Sequence, residues 1–76
     1  MDLRKILIDT FKNSSIPEDI TDLKMGDFEE WDSLGNFNLI LAVEKCFQIQ
    51  FDIDDMENIT SVKDIEIRLE NAVPKK

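Results

Sequence analysis

The sequence predicts an all-α fold, and three observations carry that expectation. Apolar residues recur at helical spacing in three separate stretches. No stretch reads as a convincing strand. Between the stretches lie turn formers and helix-start residues, such as Asn13-Ser14-Ser15-Ile16-Pro17 and Thr60-Ser61.

The first helix is expected over residues 2–12, where Leu3, Ile6, Leu7 and Phe11 share one face. Residues 13–32 have no sustained period but carry isolated apolar side chains: Ile16, Ile20, Leu23, Met25, Phe28 and Trp31. They read as a long loop that wraps the domain and pins itself with those residues. A short turn after Pro17 is expected, because Glu18 and Asp19 suit a helical first turn. Loops of this length are uncommon in small domains and point to function.

Residues 33–48 give the strongest helix signal. Leu39, Ile40, Val43 and Phe47 form its core face, and Leu34, Phe37 and Leu41 form a second stripe roughly 140° away. A second stripe means either a helix buried nearly all round or an apolar patch presented to a partner. Phe51 and Ile53 follow in an extended link, and residues 54–58 suit one short helical turn. Thr60 or Ser61 then caps a last helix whose apolar stripe is Val62, Ile65, Leu69 and Ala72, with Ser61 and Asp64 in a capping-box spacing. Pro74 and two lysines mark its end. The expected architecture is a four-helix bundle of three main helices and one short one, with the long loop between the first two. It forms one domain over residues 1–76.

Composition narrows the function. Seventeen acids against nine bases give a net charge of −8, the wrong sign for a phosphate backbone, so nucleic acid is not an expected partner. Such a field would steer encounters with basic protein surfaces, or would serve only solubility. There is no histidine and no tyrosine, so the usual acid–base pairs and triads cannot be built and no enzyme is expected. A single cysteine excludes an internal disulfide and suits a reducing, cytoplasmic setting. Cys46 lies beside the core stripe, which predicts a buried, inert thiol. No membrane span or signal peptide is read, and a monomer is expected. Asp52, Asp54, Asp55 and Glu57 fail the calcium-loop template, which wants Gly and Glu where this chain has Glu57 and Lys63. Weak divalent binding by clustered acids is compatible with this, but no metal site is assigned.

The stretch Glu29-Glu30-Trp31-Asp32-Ser33-Leu34-Gly35-Asn36 concentrates the functional signal. Asp32-Ser33 ahead of an apolar run is a helix N-cap pattern, and it also presents a hydroxyl to a modifying enzyme. Taken with its surroundings, the motif resembles the acyl carrier proteins. Trp31-Asp32-Ser33-Leu34 opens a helix after a long loop, Glu44 and Phe47 stand at an E-x-x-F spacing, and Ile59-Thr60-Ser61-Val62 resembles that family's entry into its last helix. The resemblance covers residues 3–70.

The resemblance implies 4′-phosphopantetheine, transferred from coenzyme A by a phosphopantetheinyl transferase onto Ser33, with Asp32 and Leu34 flanking the attachment point. The arm would hold cargo as a thioester, so the domain would need no catalytic residue of its own. Loading enzymes and downstream synthases or transferases with basic docking surfaces would be the partners. Glu29, Glu30, Leu34, Phe37, Leu41, Glu44, Asp55 and Glu57 are the expected partner-facing residues, with Leu41 alternatively lining a slot for the growing chain. The fatty-acid type often reads D-S-L-D-x-V-E, whereas this chain has Gly35, Phe37 and Asn38. It is closer to free-standing carriers of secondary-metabolite, polysaccharide or aminoacyl pathways. Gly35 costs about 1 kcal/mol relative to alanine inside a helix and less in a first turn; close approach of a partner or the arm is one reason for it, chance another. Trp31 is read as a loop anchor whose position also allows contact with the arm or a partner. The alternative function is an acidic interaction module of the same fold that is never modified and regulates a basic protein.

Overall fold

A computed structural model describes residues 3–71, Asn71 by its backbone. Among the described residues the chain forms four helices in the order α1 (Leu3–Thr10), α2 (Ser33–Phe47), α3 (Ile53–Asn58) and α4 (Val62–Asn71), with no strand; an isolated antiparallel bridge joins Lys24 and Ser61. Ala72, Pro74 and the two lysines lie outside the described residues. None of these helices is long and apolar enough to cross a membrane. The radius of gyration is 11.5 Å, close to the roughly 11 Å expected of a compact chain this long.

Each helix exists because of a face to bury. Ile6 and Leu7 of α1, with Phe11 just beyond it, pack against Leu39, Ile40 and Val43 of α2, and α1 and α2 are the closely packed helix pair. Val62 and Ile65 of α4 complete that core, while Phe47 and Leu69 are half-buried at its edge. Much of the remaining core comes from connecting segments: Trp31, Ile49, Phe51 and Ile59 are all buried and none is helical. Burying such a side chain is worth about 1.5–3 kcal/mol, so the loops are as much part of the core as the helices.

The segment between α1 and α2 is pinned as its apolar residues require. Ile16, Ile20, Leu23, Met25 and Phe28 are half-buried against the core, and Trp31 is fully buried. Phe11, Phe28 and Trp31 form an aromatic cluster, with centroids 5.4 Å apart for Phe11–Trp31 and 6.4 Å for Phe28–Trp31. Backbone bonds fasten the loop to the start of α4: Met25 N–H donates to the Thr60 carbonyl at 2.7 Å and Val62 N–H to the Leu23 carbonyl at 2.9 Å. Arg4 donates to the carbonyls of Ile16 and Pro17, at 3.0 and 2.8 Å, tying the loop back to α1. Gly26 takes φ +99°, a left-handed value open to glycine, and its N–H closes a turn on the Trp31 carbonyl.

Three local expectations are corrected. The short turn after Pro17 is present but begins later than Glu18 and Asp19 suggest: the backbone only bends at Glu18, the Asp19 carboxylate accepts from Thr21 N–H at 3.0 Å, and Leu23 N–H closes the turn on the Ile20 carbonyl at 3.1 Å. A side-chain bond two residues ahead offers the backbone an alternative to helix. Ile53 is not in the extended link but opens α3, exposed. Cys46 is exposed rather than buried. It sits on the shoulder of the core stripe in the last turn of α2, where being near a buried face does not place a side chain inside it.

At its far end α2 stops at Gln48, in left-handed conformation with φ 54° and ψ 48°, whose N–H bonds the Glu44 carbonyl. This turns the chain so that Ile49 and Phe51 enter the core. The cap of α4 follows the expected spacing with one change: Ser61 Oγ accepts from Asp64 N–H, while the Asp64 carboxylate reaches past Ser61 to accept from Thr60 N–H at 3.1 Å.

Candidate functional site

At the start of α2 the aspartate and serine divide the two roles their pairing suggests. Asp32 is the N-cap, with extended backbone, and its Oδ1 accepts from Gly35 N–H at 2.8 Å. Its carbonyl accepts from Asn36 N–H at 2.8 Å. Ser33 is therefore released from capping: it is the first residue of the helix and exposed. The N–H groups of Ser33 and Leu34, at the helix start, have no intrahelical acceptor. An exposed hydroxyl thus stands where the helix carries its partial positive charge.

Two residues that follow explain how this hydroxyl is held in place. Gly35 is buried, and a Cβ there would overlap the Glu30 carbonyl oxygen and lie 3.2 Å from Phe11 Cε1. The close approach that demands glycine is therefore the chain's own loop, packed across the first turn of α2, rather than a partner or an arm. Asn36, 7% exposed, bridges two segments: its Oδ1 accepts from Trp31 Nε1 at 2.9 Å and its Nδ2 donates to the Ile59 carbonyl at 2.7 Å. Trp31 is thus occupied inside the core, stacked on Phe11, and is not a surface contact for an arm or a partner. Sequence reading passed over Asn36. Its signal was a lone carboxamide at core azimuth on α2, on the same side as Leu39, Ile40 and Val43.

The second stripe on α2 is exposed, so the alternative of a helix buried all round is excluded for it. Leu34 is 68% exposed, Phe37 47% and Leu41 42%. The candidate acidic residues differ in their freedom. Glu29 and Glu57 are exposed. Glu30 is half-buried, and its Oε1 accepts from Asn13 N–H at 3.0 Å and Ser14 Oγ at 2.7 Å, so it holds the loop. Glu44 is half-buried and accepts from Phe51 N–H at 2.7 Å. Asp55 pairs with Arg68 at 3.4 Å, linking α3 to α4. The structure thus gathers Asp32, Ser33, Leu34 and Phe37 at one end of α2 and Leu41 and Glu44 further along it. Among the described residues no group of three or more potential ligands forms a metal site.

An exposed serine beside two unspent N–H groups fits a phosphodiester, which takes hydrogen bonds from such donors. The Asp32 carboxylate does not occupy those donors, because it is spent on Gly35 N–H. Comparison of the chain with protein-family models, with curated proteins and with solved structures returned no match.

Proposed function

We propose that this chain is an acyl carrier: a domain that bears 4′-phosphopantetheine on Ser33 and hands thioester-bound intermediates from one enzyme to another. The observation that carries the reading is the division of roles at the start of α2, where Asp32 caps the helix and leaves the Ser33 hydroxyl exposed at the head of an exposed apolar stripe. The Asp-Ser-Leu motif and its surroundings support it, as does a helical bundle with a long first loop.

In the proposed modification Ser33 Oγ attacks the phosphate of coenzyme A that carries the pantetheine. The Oγ–P bond forms, the diphosphate P–O bond breaks, 3′,5′-adenosine bisphosphate leaves, and the serine proton passes to a base on the transferase. When bound, the arm supplies a thiol that holds cargo as a thioester. The chain's own residues position and present it. Asp32 fixes the first turn, the N–H groups of Ser33 and Leu34 would donate to the phosphate of a bound arm, and Gly35 and Asn36 lock that turn to the core. Leu34 and Phe37 give partners an apolar anchor, and Glu29 and Glu57 contribute to a field that steers basic surfaces toward it.

The test is intact mass after incubation with coenzyme A and a broad-specificity phosphopantetheinyl transferase, beside Ser33→Ala. Gain of one arm by the parent and not by the variant is expected. No gain with several transferases, on protein whose fold is intact, would overturn the reading in favour of an acidic interaction module that acts unmodified.

A further inference from the structure

Five exposed residues of α2, Leu34, Phe37, Asn38, Leu41 and Lys45, fall within an arc of about 100° at the rotation per residue of an α-helix. We propose that this arc is a self-association face, on which α2 of a second copy packs antiparallel as concentration rises. The pair forms whether or not Ser33 carries an arm, and it goes beyond the carrier function proposed above.

Spacing identifies the occupant as a helix. Leu34, Phe37 and Leu41 recur at intervals of three and four residues, the rhythm by which one helix sets its side chains between those of another. Charge identifies that helix as a copy of this one. The chain carries a net charge of −8, yet the arc holds no carboxylate and its one charge is Lys45. No acid lies in the first turn of α2. Glu44, on the flank of the arc, is half-buried and accepts from Phe51 N–H. A basic surface laid on the arc itself would therefore find no charge to pair with.

A two-fold axis at the height of Leu39 satisfies every member of the arc. It sets Phe37 of each copy against Leu41 of the other, and Leu34 against the alkyl stem of Lys45. The Asn38 carboxamides meet beside the axis, where each donates to and accepts from the other, a device that fixes register between helices. The Lys45 ammonium then reaches the start of the other α2, where Glu29 and Asp32 are exposed.

Leu34, Phe37 and Leu41 expose on the order of 300 Å² of apolar side chain per copy. Over two copies that is about half of what a standard stable interface buries, so the dimer is weak and reversible. Repulsion between two acidic copies weakens it further at low salt, and screening relieves that repulsion. The monomer expected from the sequence then holds in dilute solution. Ser33, about 100° round the helix from Leu34, stays at the rim of the pair, and an enzyme that docks on Leu34 and Phe37 competes with the second copy.

The test is sedimentation equilibrium of the full chain from about 10 μM to about 1 mM, with reductant present because Cys46 is exposed. The mean mass is expected to climb toward that of a dimer over this range, and to climb further at about 0.5 M salt than at about 0.05 M. Amide shifts are expected to move with concentration at Leu34, Phe37, Asn38, Leu41 and Lys45. Asn38→Asp and Asn38→Lys each place like charges beside the axis and should weaken association roughly tenfold, whereas an equal mixture of the two should recover it. Asn38 is exposed, so neither variant puts the fold at risk. A mixture no stronger than its components would overturn the antiparallel register. A monomer at every concentration and salt would overturn the proposal and leave the arc to partner enzymes, and concentration shifts confined to Ile8 and Ile67 would overturn it in favour of another face.

Discussion

Asn36→Ala tests the join that holds the start of α2 in place. The substitution removes both bonds of a buried carboxamide and leaves Trp31 Nε1 and the Ile59 carbonyl facing each other across the vacated space. Each orphaned buried group costs about 1–3 kcal/mol, and the cavity adds to that, so the loss should be about 3–5 kcal/mol. A chain this size has roughly 4–11 kcal/mol of stability in total. At roughly 4–8 °C per kcal/mol, the melting temperature should fall by more than about 12 °C. Trp31 fluorescence follows the unfolding directly, because the indole is fully buried in the parent. Asn36→Asp separates the two bonds. It keeps the acceptor for Trp31 but sets an oxygen against the Ile59 carbonyl, so it should be poorly stable at neutral pH. A buried carboxyl in that position has its pKa raised, and its protonated form can donate to the carbonyl, so stability should recover as pH falls. A loss below about 1 kcal/mol for Asn36→Ala would refute the reasoning, since it would mean that water restores both bonds at little cost.

Three further outcomes are expected. Gly35→Ala should destabilise by about 1–3 kcal/mol, as overpacking does, despite alanine's higher helix propensity; a melting temperature at or above the parent's would show that the Glu30 carbonyl yields. Phe37→Ser removes a side chain already 47% exposed, so it should cost no more than about 1 kcal/mol while slowing transfer to a partner enzyme. A large fall in stability would make Phe37 a core residue instead. The third concerns pH. Burial raises the pKa of Asp64, but hydrogen bonds from Thr60 N–H, Ser61 and the Thr60 hydroxyl, with the Arg68 charge, outweigh it and lower the value below 3.8. A depressed carboxyl contributes stability above its unfolded pKa and loses it as pH falls through the folded one. Urea midpoints should therefore drop below pH ~4, and Asp64→Asn should flatten that drop; an unchanged acid limb in the variant would assign it to other groups.

Periodicity was enough to locate the helices, because a helix that must bury one face writes that need into its spacing. It also located the second stripe on α2, which is exposed as a face with no intramolecular partner should be. The pinning residues of the long loop were legible for a similar reason: an isolated apolar side chain in a polar segment has to be buried somewhere. Cys46 was misread because azimuth alone does not say how far the covering elements extend along a helix.

The local chemistry of Asp32-Ser33 belongs to the sequence as well, since a cap acts within its own turn and needs no distant partner. Which of the two side chains caps was decided by backbone geometry, and with it the exposure of Ser33. What fastens that first turn to the rest of the molecule was decided by tertiary contact. Gly35 is required by the Glu30 carbonyl crossing the helix, and Asn36 by Trp31 on one side and Ile59 on the other. Glu30 and Glu44 look in sequence like two more surface acids, yet each accepts bonds from a distant segment. Periodicity is the projection of one face onto the chain and survives in one dimension; a contact between two segments has no such projection, because its two halves are chosen by where the chain returns.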